Sequence, residues 1–479
     1  MSEESFDVIA VGGGTAGSMA ALAAARNGAR TCLIESGGFI GGTCLALANA
    51  TPFHNNRGDV VVGGYPQELV TRMISAGGAM PGGHLPNPSG ICGSFTPLDP
   101  DVMKLVLFDM LVEAGVELWL HTVLIGSETE AGKVVGVRVS NKSGVQKLNG
   151  KVLIDATGDA DLAVSAGADY HQDVPEESLN ATLLFRVAGV ESDLFIADVK
   201  ANPAHITMLA DPYLVNERGL TPESVMEKDF NSILDTPYIY IANLVRDFVP
   251  QSDWPEWEIR SAEKQDWGKL RPFGSRIGIM SLPSRTDLVT INATSIAFDA
   301  TDAAQIALAE VEGQRQIHQL MAVLRRYVPG FANSHLHSTL PKISVRASRR
   351  IIGAYQLTRD DVKRECRFPD GIARGSYPMS VQSVDVPNVR KHLFVNNGGD
   401  YDIPYRCLVP KEIDGLLVAG RCLSATREAS GSARMGAQCM AYGQAAGTAA
   451  AIAARKNIEP RAVDYGELRS TLIQANAVI

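Results

Sequence analysis

Residues 6–35 read FDVIAVGGGTAGSMAALAAARNGARTCLIE. Residues 7–11 are a short apolar run, and Gly12, Gly14 and Gly17 give the spacing GxGxxG. Residues 15–27 can form an alanine-rich helix closed by Gly28, and a second apolar run ends at Glu35. Strand, glycine turn and helix in that order are the context a dinucleotide fingerprint requires. Gly12 permits the tight turn, Gly14 lets the backbone approach a pyrophosphate, and Gly17 lets helix and strand pack closely. The helix N-terminus then offers N–H groups and a positive dipole end to the anion. Glu35 stands at roughly the twenty-residue offset at which an acid accepts from a ribose 2′-OH.

The chain has 479 residues and is 45% hydrophobic, too long for one compact core and apolar enough for two. A net charge of −9, with acids and bases mixed, gives a pI near 5.6 and argues against nucleic acid as a partner. The seven cysteines are scattered without a CxxC, so no structural zinc or iron–sulfur cluster is expected. Their odd number, with no secretory segment, points to reduced thiols in a cytoplasm. The first strand begins at Phe6, leaving no room for a signal peptide, and no apolar run is long enough to span a bilayer.

Beyond Glu35 lies a second glycine cluster, GGFIGGTC at 37–44, where backbone can again come close to a ligand. Residues 76–97 are so rich in Gly and Pro that they read as a long loop, neither helix nor central strand. Asp99 and Pro100 begin a helix that runs to Ala114, a strand follows over 116–125, and 134–139 with 151–154 read as a hairpin. The run VLIDATGDAD at 152–161 is an apolar strand entering a tight turn. From about 166 to 410 the pattern changes. Alternating segments at 182–187 and 288–291 suggest an antiparallel sheet, interrupted by a polar, tryptophan-containing stretch over 202–267. A packing helix is expected over 301–328, and the chain then returns to its first style, with a buried strand at 416–419, a turn at Gly420 and an Ala/Gly-rich helix over 434–455. The reading is an α/β protein: a Rossmann-like nucleotide domain from 1–165 and 411–479, with an inserted α+β domain at 166–410 built on a mostly antiparallel sheet.

The amino-terminal fingerprint, the Ala156-Thr157-Gly158 turn and the LVAGR stretch at 417–421 together resemble the FAD-dependent oxidoreductases of the glutathione reductase and fumarate reductase superfamily. More narrowly, VRASRRI at 345–351, IARGSYP at 372–378 and IPYRCLVP at 403–410 resemble a bacterial FAD-dependent oxidoreductase family. The resemblance implies FAD as cofactor, with Gly12, Gly14 and Gly17 at the pyrophosphate, Thr15 and Ala16 beside them, and Glu35 at the adenosine ribose. It implies Gly41, Gly42 and Thr43 next to the flavin, Ala156, Thr157, Gly158, Gly420 and Arg421 along the ribityl chain, and Ser36 and Val123 completing the cofactor set. Residues 431–436, with Met435 and Gly436 at their end, are similar to a segment whose helix N-terminus points at the flavin N1/C2=O edge, where reduced flavin carries charge. Two departures narrow the analogy. The glutathione reductase pattern needs a second cysteine where this chain has Asn49, so a dithiol shuttle is not supported for Cys44, and no second GxGxxG in context suggests a separate NAD(P)H domain.

A flavin oxidoreductase needs its donor carbon held over N5 and a group to handle the second proton. Arg346, Arg349, Arg350 and Arg406 are carboxylate-clamp candidates, since a guanidinium fork binds a carboxylate at two points. Tyr401, Asp402 and Tyr405, read as a loop before the last strand, can bring a phenol or carboxylate to the ring, and His54 and His84 are the acid/base candidates. His335 and His337 lack a completing ligand set and read as a polar loop, with no metal. The expected function is hydride transfer between a small, polar, carboxylate-bearing substrate and flavin N5, with an unknown electron acceptor and a homo-oligomer left open. The alternatives are a reductase of an unsaturated acid and a flavoprotein whose FAD is structural or an electron relay.

Overall fold

The computed structural model describes residues 4–87, 91–174, 178–202, 242–245, 257–258, 269–270, 276–283, 285–382 and 390–479. Most of the tryptophan-containing stretch at 202–267 therefore lies outside the described residues. The first unit contains β1 (Glu4–Val11), α1 (Thr15–Arg26), β2 (Thr31–Ile34), α2 (Thr43–Leu47), α3 (Pro100–Glu113), β3 (Glu117–Trp119), β4 (Val123–Glu130), β5 (Lys133–Asn141) and β6 (Gly144–Asp155). The second contains β7 (Phe185–Ala188), β8 (Ala242–Val245), β9 (Arg276–Leu282), β10 (Arg285–Asn292), α4 (Ala303–Tyr327) and β11 (His335–Thr339). The chain closes with β12 (Leu416–Val418), α5 (Arg427–Ala433) and α6 (Gly436–Lys456), followed by a last helix, Tyr465–Gln474.

The first sheet has seven strands in the order β3-β2-β1-β6-β5-β4, with β12 also paired to β6. β1 lies parallel to β2 and to β6, with Val11 opposite both Ile34 and Asp155, and β12 lies parallel to β6. Central parallel strands are covered on both faces, which is why the apolar second half of β1 and all of β2 are buried. β4, β5 and β6 form an antiparallel meander, the expected hairpin with one more strand. The carboxy-terminal return is therefore physical: β12 is a strand of the amino-terminal sheet.

The second sheet, β8-β9-β10-β7-β11, is antiparallel throughout. One face is buried by α4, whose start is capped by Asp302 accepting from the Ala304 and Gln305 N–H groups. Phe185 and Val187 of β7 meet Ile317, Leu320 and Leu324 in that core. The period of two along a strand sends the residues between them to the opposite face. There Ala188, Met280 and Leu288 pack on Ala48, just beyond α2, so this face of the sheet lies on the first unit. Among the described residues no helix is long and apolar enough to cross a membrane.

Four local readings are corrected. Residues Ser94–Pro97 form the middle strand of a small three-stranded sheet, flanked by Asn49–Ala50 and Leu85–Pro86; a buried position let Gly/Pro-rich sequence pair there. His335 and His337 lie on strand β11 at the edge of the second sheet, exposed, rather than in a loop. Tyr401–Pro404 is a buried strand paired with Gly371–Gly375. The helix expected over 434–455 begins only at Gly436, because Met435 is extended (φ −70°, ψ 147°) and separates α5 from α6.

Candidate functional site

The glycine turn after β1 has two kinds of glycine. A Cβ on Gly12, whose φ is +103°, would overlap the Ala156 carbonyl, and one on Gly17 would overlap the Gly12 carbonyl oxygen. These two are closed by the protein itself. Gly14, at the N-cap of α1, has nothing within 4 Å of where its Cβ would stand, so the space above the helix N-terminus is open. That is the cradle a pyrophosphate needs, next to the helix end that favours an anion.

Glu35 holds the turn in shape. One carboxylate oxygen accepts from the Gly13 N–H at 2.8 Å, and the other accepts from the Gly37 N–H at 2.7 Å and the Ser36 hydroxyl at 3.0 Å. A carboxylate has about four acceptor sites, which leaves room for a ribose hydroxyl. Val123 follows Thr122, whose N–H donates to the Glu35 carbonyl. The second glycine cluster folds back on the first: the Gly41 N–H donates to the Gly13 carbonyl at 2.8 Å, and a Cβ on Gly42 would lie 2.8 Å from Gly14 Cα. Thr43 then starts α2.

On the other side of the turn, Asp155 is buried and accepts from the Thr157 N–H, the Thr157 hydroxyl and the Ala163 N–H. Burial raises its pKa despite these donors. Gly158 (φ +86°) lies beneath Arg421, whose Cζ would be 3.0 Å from a Cβ there. Arg421 pairs with Asp159 at 2.6 Å. The sequence-predicted segments at 12–17, 35–43, 156–158 and 420–421 thus converge on one end of the parallel sheet.

α6 extends this site. A Cβ on Gly443 would overlap the Ala16 carbonyl and one on Gly447 the Ala20 carbonyl, so α1 and α6 pack closely and run in the same direction. Gly436 precedes Gly443 by seven residues, so α6 begins about 10 Å beyond the α1 N-terminus at 1.5 Å rise per residue. A dinucleotide with its pyrophosphate on α1 has its far end there. Cys44 Sγ packs against Gly436, and the Ala437 N–H donates to the Thr51 carbonyl. Burial pushes the Cys44 thiol up to about 12, which makes it a packing group rather than a thiolate.

The remaining candidates separate. His54 is partly buried, and burial lowers its pKa. Ser94 Oγ accepts from the Phe53 and His54 N–H groups at 3.1 and 3.0 Å, so its own proton goes to His54 Nδ1 at 3.1 Å. The neutral ring then carries its proton on Nε2. His84 is bonded through both nitrogens, to Thr96 Oγ1 and Gln67 Oε1. Arg349 pairs with Asp161, Arg350 with buried Asp173, and Arg406 bidentately with Asp370 at 3.0 and 3.1 Å. The Tyr401 hydroxyl bonds Ser432 at 2.7 Å and the Tyr405 hydroxyl donates to the Pro460 carbonyl at 2.8 Å; burial raises both phenols' pKa. These five side chains are tied into scaffold contacts. Asp402 likewise pairs with Arg367, and Arg346 bonds the Asn180 carbonyl.

One residue that the sequence reading passed over lies on the inner face of the second sheet. Arg186 of β7 reaches across to α2, where Nη2 donates to the Leu45 carbonyl at 2.9 Å. Its Nε, and the hydroxyl of Thr290 directly opposite on β10, are buried without a hydrogen-bond partner among the described residues. An arginine inside the otherwise apolar run LLFRVA was the signal. Among the described residues no group of His, Cys, Asp and Glu is arranged to hold a metal.

The model of the family described as FAD dependent oxidoreductase matches residues 7–472. A digeranylgeranylglycerophospholipid reductase from Thermoplasma volcanium is 27% identical over 162 residues, 32% of this chain and 40% of that protein, so the match spans less than half of that relative's length. Among solved structures, a geranylgeranyl bacteriochlorophyll reductase-like protein from Thermoplasma acidophilum is similar with a TM-score of 0.48 and 14% identity, covering 100% of this chain and 85% of that one. The p-nitrophenol 4-monooxygenase of Pseudomonas putida gives a TM-score of 0.46 and 11% identity, covering 98% and 85%.

Proposed function

The chain belongs to the FAD-dependent oxidoreductase family, an enzyme family with FAD as its cofactor, and from that premise we propose that it transfers a hydride between a small, polar, carboxylate-bearing organic substrate and flavin N5. The residues present fit the cofactor: an open Gly14 on a helix N-terminus, an acid with spare acceptor sites, and a second helix starting about 10 Å farther on. Gly12, Gly14, Thr15, Ala16 and Gly17 would hold the pyrophosphate, Glu35, Ser36 and Val123 the adenosine end, Gly158 and Arg421 the ribityl chain, and Gly42, Thr43, Met435 and Gly436 the flavin. When bound, FAD supplies the two-electron chemistry at N5.

The observation that carries the substrate class is Arg186. A half-buried guanidinium group with an enclosed, unpartnered Nε, beside an unpartnered Thr290 hydroxyl, is costly in an apolar face unless an anion or hydrogen-bonding ligand completes it. A carboxylate matches that fork. In this reading Arg186 anchors the substrate acid, the apolar residues Met280 and Leu288 of the same face exclude water, and His54 donates from Nε2 to a substrate oxygen. The four paired side chains Arg349, Tyr401, Tyr405 and Arg406 hold the scaffold that fixes these positions.

Steady-state kinetics test it. Arg186→Met raises KM for acidic donors about 10- to 100-fold, the worth of about 1.5–3 kcal/mol for a hydrogen bond to a charged group, and leaves the flavin spectrum unchanged. Arg186→Lys recovers part of the loss. Equal effects on acidic and neutral donors would remove the carboxylate from the proposal.

A further inference from the structure

Arg434 stands between two helices, at the C-cap of α5 and immediately before Met435, the N-cap of α6. Its backbone is secured by the Ser430 carbonyl, but its side chain is not matched by an acid. Nε is buried without a hydrogen-bond partner, and no carboxylate lies within ion-pair distance among the described residues. The groups that bear on it are the Tyr377 phenol, the Cys439 thiol and a second cation, Arg421. Arg421 itself is already paired, with Asp159. Burial beside another cation disfavours the charged form of Arg434, yet a guanidinium stays protonated in proteins. The residue is half-buried with its Nε enclosed, and a charge left without a partner there is expensive. It is retained without loss when the working state brings an anion to it.

FAD offers two anions, the pyrophosphate and the N1–C2=O edge of the reduced ring. The pyrophosphate cradle is at the α1 N-terminus, and Arg434 adjoins the start of α6, about 10 Å farther along the same direction. The flavin end matches that separation. We propose that Arg434 is the counter-cation of reduced flavin, placed at the N1–C2=O edge beside the N-terminus of α6. Bound FAD would take up two electrons and one proton as a hydride at N5, and with N1 unprotonated the Arg434 guanidinium would meet the negative charge left on the ring. The arginine thereby favours reduced over oxidised flavin and raises the cofactor's potential. This inference rests on the reading of the molecule as a flavin enzyme and needs no knowledge of the substrate.

The test uses the FAD-loaded protein without any donor. Sulfite adds to flavin N5 and leaves negative charge at the same edge, so its dissociation constant and the two-electron midpoint potential both read the cation. Arg434→Met is expected to bind sulfite at least tenfold more weakly and to lower the potential by about 30 mV for each tenfold loss in the reduction equilibrium, with FAD retained. Arg434→Lys recovers most of both. Should the Met variant not fold, the neutral, polar Arg434→Gln carries the same expectation. A neutral variant that keeps FAD with wild-type potential and sulfite affinity overturns the proposal. So does one that loses FAD while the Lys variant binds it at unchanged potential, which would assign the cation to the pyrophosphate. Either result leaves the hydride-transfer reading intact, since that is tested by donors alone.

Discussion

Glu35 organises the cofactor end before any ligand arrives, because its two oxygens hold the Gly13 and Gly37 N–H groups and so fix both glycine segments at once. His84 has a comparable structural role. It is bonded at both nitrogens, stacks on Phe53 with centroids 4.2 Å apart, and burial, with a smaller contribution from His54, lowers its pKa to about 4. Unfolded histidine titrates near 6.5. Between these values the unfolded chain binds the proton and the folded chain does not, so stability rises with pH across that window and is lost as pH falls through it. The loss is about 3 kcal/mol over the whole window at 1.36 kcal/mol per pKa unit. Thermal melts of wild type and His84→Gln across this range should therefore converge as pH falls toward the folded value. A gap that stays constant would mean that His84 titrates normally.

At the scale of elements, the pairing of α1 with α6 sets the distance between the two ends of the site. Helices come this close only where no side chain intervenes, at Gly443 against Ala16 and Gly447 against Ala20. Gly447→Val forces them apart and should cost about 1–3 kcal/mol or more, read as a lower urea midpoint together with weaker FAD binding. A stable variant with unaltered FAD affinity would show that the helix contact does not set the site. α1 was legible from its glycine spacing and alanine content, since those signals are local. The break between α5 and α6 was not, because Arg434 and Met435 are good helix formers, yet Met435 is extended. Residues 94–97 were misread because their pairing partners at 49–50 and 85–86 come from elsewhere in the chain.

Over the whole molecule, the glycine turns and their backbone requirements could be read from sequence, and the pairing of the distant arginines could not. Gly12, Gly14, Gly17, Glu35 and Gly158 each announce a backbone requirement in their own neighbourhood. Arg186 is marked locally only as a charge inside the apolar run LLFRVA, and Arg434 is not marked at all. They gain meaning only once β7 turns one face to α2, and once α6 starts beyond α1. The arginines that looked most like clamps, Arg349, Arg350 and Arg406, each have a carboxylate of their own within the fold, which no spacing in the sequence reveals. The proposed reaction lies between the parallel sheet's end and the inner face of the antiparallel sheet. Its most direct test is the visible spectrum of the FAD-loaded protein, followed without oxygen as hydroxy acids, amino acids and neutral analogues are added one class at a time. The account predicts that a carboxylate-bearing donor bleaches the flavin and that its neutral analogue does not; a flavin that stays fully oxidised with every acid, yet is bleached by a neutral donor, would contradict it.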